Sequence, residues 1–225
     1  LDQLRQDFTA MLAHDVKNPA SITLMNTQMI LQSKPQEEIT VSRSFLKLIE
    51  KNTKQIMEMV DNFLMASKLE GNFSLNLNLK PMNLFETTKL VLKYILPKYD
   101  EHKLILNCNS ELPLTNIDII RYEEILLNLI SNAAKYSGPN TPIKISFSPS
   151  NQSHQDSNQD SNQKGVLVSV KDQGIGISEK DLNFIFNRYY RTQEAAKFNR
   201  GFGLGLFITK GLVKAHGGSI SVESE

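Results

Sequence analysis

The apolar residues of this chain repeat at two different periods, and the switch between them, at Gly71, is what most limits the folds it can adopt. From Leu4 to Gln32, the residues Leu4, Phe8, Leu12, Ile22, Met25 and Met29 recur at helical steps interrupted only by Pro19. From Val41 to Leu69, Phe45, Leu48, Ile49, Ile56, Met59, Val60 and Phe63 make a second stripe. Two long helices joined by the short connector SKPQEE form an antiparallel hairpin, and neither can hide its stripe alone. Two hairpins from two chains close a four-helix bundle, so a homodimer is the expected solution; packing of the hairpin on the rest of its own chain is the alternative. Pro19 removes a backbone donor, which predicts a bend near His14.

After Gly71 the pattern becomes short alternating runs, FSLNLNL, KLILNCN, PIKISFS and VLVSVKD, interleaved with helical stretches at Leu84 to Leu96, Ile119 to Tyr136 and Leu204 to Ala215. The expected class is α+β: a helical domain over 1–71, then a mixed sheet covered by helices over 72–225. Between Pro149 and Gly165 the polar segment SNQSHQDSNQDSNQK repeats QDSN and has almost nothing to bury, which predicts a flexible insertion over 149–165. His154 within it lacks a second fixed ligand and reads as solvated.

Composition excludes several classes. With 25 basic and 24 acidic side chains, a formal charge of +1 and no long run of one sign, nothing grips a nucleic-acid backbone or an anionic membrane. No apolar run approaches the roughly 18 residues of a membrane span, and DQLRQDF is too polar for a signal peptide. The single cysteine, Cys108, reads as a small core residue and suits a reducing, cytoplasmic compartment. The chain begins at Leu1 and stops at SVESE where a strand is running, so a fragment of a longer protein is expected.

On the first helix Asp7, His14, Ser21 and Gln28 return at seven-residue steps and make a polar line opposite the apolar stripe. His14 is therefore expected to be exposed, with Asp15 beside it and Lys17 and Asn18 on its face. A neutral imidazole nitrogen is available as a nucleophile near pH 7. Asp15 can take its proton or fix its tautomer as a general base, and Asn18 can position a water for the reverse hydrolysis.

Three further segments suit a nucleotide. In IDIIRYEEILLNLISNAAKYS, Asn128 and Asn132 lie four apart, with Lys135 and Tyr136 within the next turn: amide oxygens for a metal ion, charge for phosphates and a π face for a base. DQGIGIS places Asp172 at the end of a strand ahead of Gly174 and Gly176, and GFGLGL places Gly201, Gly203 and Gly205 at the start of a helix. Glycines there let backbone approach a ligand, and helix-start N–H groups favour phosphate oxygens.

The string LAHDVKNPA resembles the H-box of two-component sensor histidine kinases, with Lys17 where that family often carries Arg. NLISNAAKYS, DQGIGI, IFNRYYR and GFGLGL resemble, in order, the N, G1, F and G2 boxes of the family's ATPase domain. The resemblance covers nearly the whole chain and implies a dimeric helical phosphotransfer bundle followed by an α/β sandwich of the GHKL (Bergerat) type shared with Hsp90, MutL and gyrase ATPases. It implies a kinase that moves the γ-phosphoryl group of ATP, with Mg²⁺, onto His14 and then to an aspartate of a response regulator. By the same resemblance Asp172 hydrogen-bonds the adenine amine, Asn132 ligates Mg²⁺ with Asn128 nearby, and Lys135 and Tyr136 flank the nucleotide. Gly174, Gly176 and Ile177 of the G1 box and Gly201, Gly203, Leu204 and Gly205 of the G2 box line it. Arg188 and Arg191 are candidate phosphate contacts, and the stretch Thr192 to Arg200, within 187–203, is a lid. The glutamate with which Hsp90-type relatives hydrolyse ATP is replaced on that helix by Asn128, so the phosphoryl group is kept for His14. The family's final strand is not reached by Glu225. A phosphatase-biased regulator, an ATP-binding scaffold without phosphotransfer and a repair-type ATPase are the competing readings.

Overall fold

A computed structural model describes residues 2–31, 42–70, 75–95, 102–150, 165–197 and 202–224. Most of the polar insertion, with His154, together with Gly201 and part of the lid, lies outside them. The chain divides into two compact units, Leu1–Gly71 and Asn72–Glu225.

The first unit is two long helices, α1 (Asp2–Leu31) and α2 (Arg43–Glu70). α1 runs through Pro19, whose missing N–H leaves the Asp15 carbonyl without its helical donor. One turn on, the Thr23 hydroxyl donates to the Pro19 carbonyl at 2.8 Å. Much of the apolar stripe read from the sequence is not covered within one chain: Met25 and Met29 are more than half exposed, and Leu48, Val60 and Phe63 also face solvent. Two asparagines are buried in their place, Asn26 on α1 and Asn52 on α2. Asn52 Nδ2 donates to the Leu48 carbonyl at 2.8 Å, whereas Asn26 Nδ2 has no partner among the described residues.

The second unit opens with β1 (Lys80–Met82), α3 (Leu84–Ile95), β2 (Lys103–Cys108) and β3 (Thr115–Ile117). It continues with α4 (Ile119–Tyr136), β4 (Pro142–Ser150), β5 (Gly165–Lys171), α5 (Glu179–Leu182), α6 (Gln193–Lys197) and α7 (Gly205–Ala215). The main sheet has the order β2-β4-β5, with β2 parallel and β5 antiparallel to β4; β1 and β3 form a separate antiparallel pair. The run FSLNLNL is not the strand its alternation predicts. Its described part is irregular up to Lys80: among the described residues the strand that follows pairs only with the three-residue β3, and the Asn78 N–H donates to the Asp118 carboxylate instead of a ladder.

α4 forms where it does because Asp118, in extended conformation, caps it by accepting from the N–H groups of Ile120 and Arg121. Tyr122, Leu126 and Ile130 on one face of α4 pack with Val91, Leu92, Ile145 and Phe147 into the core. The Tyr122 hydroxyl is sealed in with that of Thr88 at 2.7 Å, and burial pushes its phenol up to about 12. Among the described residues no helix is long and apolar enough to cross a membrane.

Candidate functional site

Three close contacts bring the four segments singled out in the sequence to one place on the second unit. The first joins the two ends of the nucleotide-type motifs on α4 and β5. Ser137, just past α4, forms an isolated antiparallel bridge with Gly174, whose N–H donates to Asp172 Oδ1 at 2.8 Å. A Cβ at position 174 would come within 2.8 Å of both the Tyr136 carbonyl and that carboxylate, so only glycine allows the approach. Asp172 follows directly on β5 and is exposed.

The second contact ties Arg188–Arg191 to the glycine-rich turn. The Tyr189 N–H donates to the Gly203 carbonyl at 2.8 Å. Gly203 has φ +66°, and a Cβ there would lie 2.6 Å from the Tyr189 carbonyl carbon. Tyr189 itself has φ +66°, a left-handed conformation that a bulky side chain adopts only under constraint.

The third contact sets α7 against α4. Gly205, the first residue of α7, sits where a Cβ would be 3.1 Å from Asn128 Oδ1. No side chain caps this helix start. At its other end α7 is fixed by His216: Nδ1–H donates to the Leu212 carbonyl at 2.8 Å, leaving Nε2 to accept the Asp118 N–H at 3.1 Å.

Around this frame Asn128 and Asn132 are half-buried on successive turns of α4, and the Lys135 ammonium donates to the Tyr136 hydroxyl at 2.8 Å. Ile177 is held by its N–H to Ser224 Oγ at 2.8 Å, and Gly176 has φ +72°. The two arginines are directed differently. The Arg188 guanidinium lies 4.5 Å from the Tyr189 ring centre, while Arg191 Nη2 donates to the Ala195 carbonyl at 3.0 Å, bracing α6. Glu124, one turn before Asn128, is paired with Arg121 at 2.9 Å.

The donor set fits a magnesium nucleotide. Neutral amides supply oxygen ligands, an uncapped helix start supplies N–H groups, and two buried polar atoms next to the residues of the glycine contacts, Ser137 Oγ and Arg191 Nε, have no partner among the described residues. Among the described residues no cluster of His, Cys, Asp and Glu could hold a metal on its own.

On the first unit, His14 and Asp15 lie within α1. Lys17 and Asn18, on the same helix, are exposed, as are Ser21 and Gln28 of the expected polar line. Sequence reasoning missed Asp118, Asp181, Tyr190, His216 and Ser224. Asp118 carried a readable signal, an aspartate immediately before a helical run. His216 and Ser224 contact residues far along the chain, and Asp181 meets Tyr190 nine residues on across an irregular segment; no periodicity reports either.

Residues 4–72 match the family model of the His Kinase A (phospho-acceptor) domain, and residues 117–225 match that of the histidine kinase-, DNA gyrase B-, and HSP90-like ATPases. The sensor protein SrrB of Staphylococcus aureus is 29% identical over all of this chain, which spans 36% of that relative's length. Among solved structures, the histidine kinase AdeS of Acinetobacter baumannii matches with TM-score 0.64 at 22% identity, covering 90% of this chain and 86% of that one. Full-length ShkA in complex with AMPPNP matches with TM-score 0.67 at 22% identity, covering 98% and 43%. Histidine kinase ThkA, solved with the response regulator protein TrrA, matches with TM-score 0.61 at 21% identity, covering 94% and 55%. At these identities the structures show a shared fold.

Proposed function

Because the chain belongs to the histidine kinases that join a phospho-acceptor helical domain to an HSP90-like ATPase domain, we propose that it takes the γ-phosphoryl group of ATP onto His14 and passes it to an aspartate of a response regulator. The observation that carries this reading is the meeting of Asn128 with Gly205, of Tyr136 and Ser137 with Gly174, and of Tyr189 with Gly203 on one unit, while the other unit carries a histidine followed by an aspartate.

In the proposed step a ring nitrogen of neutral His14 attacks the γ-phosphorus, the bond from phosphorus to the β,γ-bridging oxygen breaks, and ADP leaves. The imidazole proton passes to Asp15 or is held by it. Asp172 reads the adenine amine, the glycine turns let the backbone close on the phosphates, and Lys135, Tyr136, Arg188 and Arg191 border them. Asn132, with Asn128 a turn earlier, would hold Mg²⁺, which would supply positive charge to the phosphate oxygens. Glu124 is engaged by Arg121, so the helix offers no unpaired carboxylate one turn before Asn128 to activate water. In the phosphatase direction, Asn18 orients a water that hydrolyses the aspartyl phosphate of the response regulator.

A homodimer through α1 and α2 follows from the uncovered apolar residues of the hairpin. Use of ATP and the single cysteine support a cytoplasmic setting for the reaction.

The test is incubation with γ-labelled ATP and Mg²⁺, followed by acid and base treatment. Acid-labile, base-stable label that is absent from His14→Gln supports the kinase. Nucleotide binding without label points to an ATP-binding scaffold.

A further inference from the structure

Asp181 is a buried carboxylate, 7% exposed, that no part of the chemistry above uses. It lies on α5, and each of its oxygens accepts from one hydroxyl: Oδ2 from Ser178 and Oδ1 from Tyr190, the latter at 2.6 Å. The Tyr190 ring also packs against Phe184, with centroids 5.6 Å apart. Hydrogen bonds to an ionised carboxylate are about twice as strong as neutral ones, so Tyr190 is fixed at both its tip and its ring.

What Tyr190 fixes is its neighbour. Tyr189 is held at φ +66°, where a tyrosine is strained, and a strained residue persists only when its surroundings over-determine it. From that position its N–H meets the Gly203 carbonyl at 2.8 Å, and the backbones touch so closely that a Cβ on Gly203 would lie 2.7 Å from the Tyr190 carbonyl oxygen. Two residues later Gly205 begins α7 against Asn128.

We propose that Asp181 is a positioning residue for nucleotide binding: through Tyr190 it holds the strained Tyr189 and thereby sets the Gly203 turn that presents the start of α7 beside Asn128. This rests on the nucleotide reading of the site. The Ser178 and Tyr190 hydroxyls keep the Asp181 carboxyl below the usual aspartate range, and the carboxylate in turn raises the Tyr190 phenol, so both stay in the hydrogen-bonding form through neutral pH.

The experiment compares Tyr190→Phe, Asp181→Asn, their double mutant and Ser178→Ala in the full chain. It reads nucleotide affinity with a fluorescent ATP analogue, KM and kcat for self-labelling, and Tm. Tyr190→Phe keeps the ring and loses only the hydroxyl. It is expected to raise Kd and KM about tenfold, with kcat changed less than about twofold. Asp181→Asn should add little to that loss when combined with it. Ser178→Ala removes a bond to the same carboxylate without touching Tyr190 and is expected to leave KM within about twofold of wild type while lowering Tm as much as Tyr190→Phe does. Wild-type affinity in Tyr190→Phe, or an equal loss in Ser178→Ala, overturns the proposal and leaves Asp181 as a brace for α5. If the wild-type chain binds no nucleotide, the nucleotide reading fails together with it; binding that survives Tyr190→Phe sinks this inference alone.

Discussion

Gly205 and Asn128 share a gap too small for one extra methyl group: a Cβ on the glycine would stand 3.1 Å from the amide oxygen. Gly205→Ala is therefore expected to push that amide by a few tenths of an ångström without disturbing the core, since alanine suits a helix start. ATP affinity should fall several-fold while Tm stays within about 2 °C. Isothermal titration with a non-hydrolysable analogue reads this directly, and unchanged affinity removes Asn128 from the site.

Gly203→Ala should behave differently. There the new atom meets backbone at 2.6 Å and the residue must hold φ +66°. The left-handed strain alone costs about 1–2 kcal/mol, and the overlap adds to it. A fall in Tm is expected along with the loss of nucleotide binding.

At Asp172 the expectation is loss of function without loss of fold. The side chain is exposed, and an asparagine oxygen can still accept the Gly174 N–H that Oδ1 accepts now. Asp172→Asn should weaken ATP binding tenfold or more, an estimate of about 1.4 kcal/mol for one lost charge-assisted bond, with an unaltered melting curve. If the variant binds ATP normally, adenine is read elsewhere.

Asn26→Leu should stabilise the helical unit. Its Nδ2 is buried without a partner, so the native chain bears the desolvation of an amide for no hydrogen bond, about 1–3 kcal/mol. Urea unfolding followed by helical circular dichroism should show a higher midpoint. A lower midpoint means that the amide finds its partner in the assembled protein.

Acid should weaken the second unit at a defined place. The Asn78 N–H, together with those of Arg121 and Ile120, holds the Asp118 carboxyl below its ordinary value of 3.8 against the opposing effect of burial. A depressed carboxyl contributes stability that is complete above the unfolded value and lost as pH falls through the folded one. Tm should thus be flat near neutrality and fall as pH drops below about 4. Asp118→Asn should be less stable at pH 7 and show a shallower acid slope. An unchanged slope would show that the cap does not titrate with unfolding.

Much of this molecule was legible in its sequence because periodicity reports burial. The α4 helix lies where its apolar spacing and flanking residues put it, and the strands from KLILNCN, PIKISFS and VLVSVKD lie where alternation put them. FSLNLNL failed because alternation says which face of a strand is apolar and nothing about whether a neighbour exists to complete its ladder. The close approaches at Gly174, Gly203 and Gly205 were legible for a second reason: glycines at fixed spacing imply backbone approach. Asp181 and His216 were not, since a hydrogen bond across an irregular loop leaves no mark on local pattern. The helix read through Pro19 is continuous, and α1 runs as one element to Leu31.

β2 and β4 are parallel neighbours, and parallel strands can be joined only by a long crossover. Here that crossover contains α4, so the connection that completes the sheet is also the helix that carries Asn128 and Asn132. Parallel pairing of β2 with β4 requires this segment to close, and the closing helix packs Leu126 and Ile130 into the core. Asn132, on the same helix, is half-buried and lies outside that core. The chain cannot trade away the helix to relax the chemistry, because it would forfeit the sheet in the same step; over evolutionary time the segment can be retuned residue by residue but not removed.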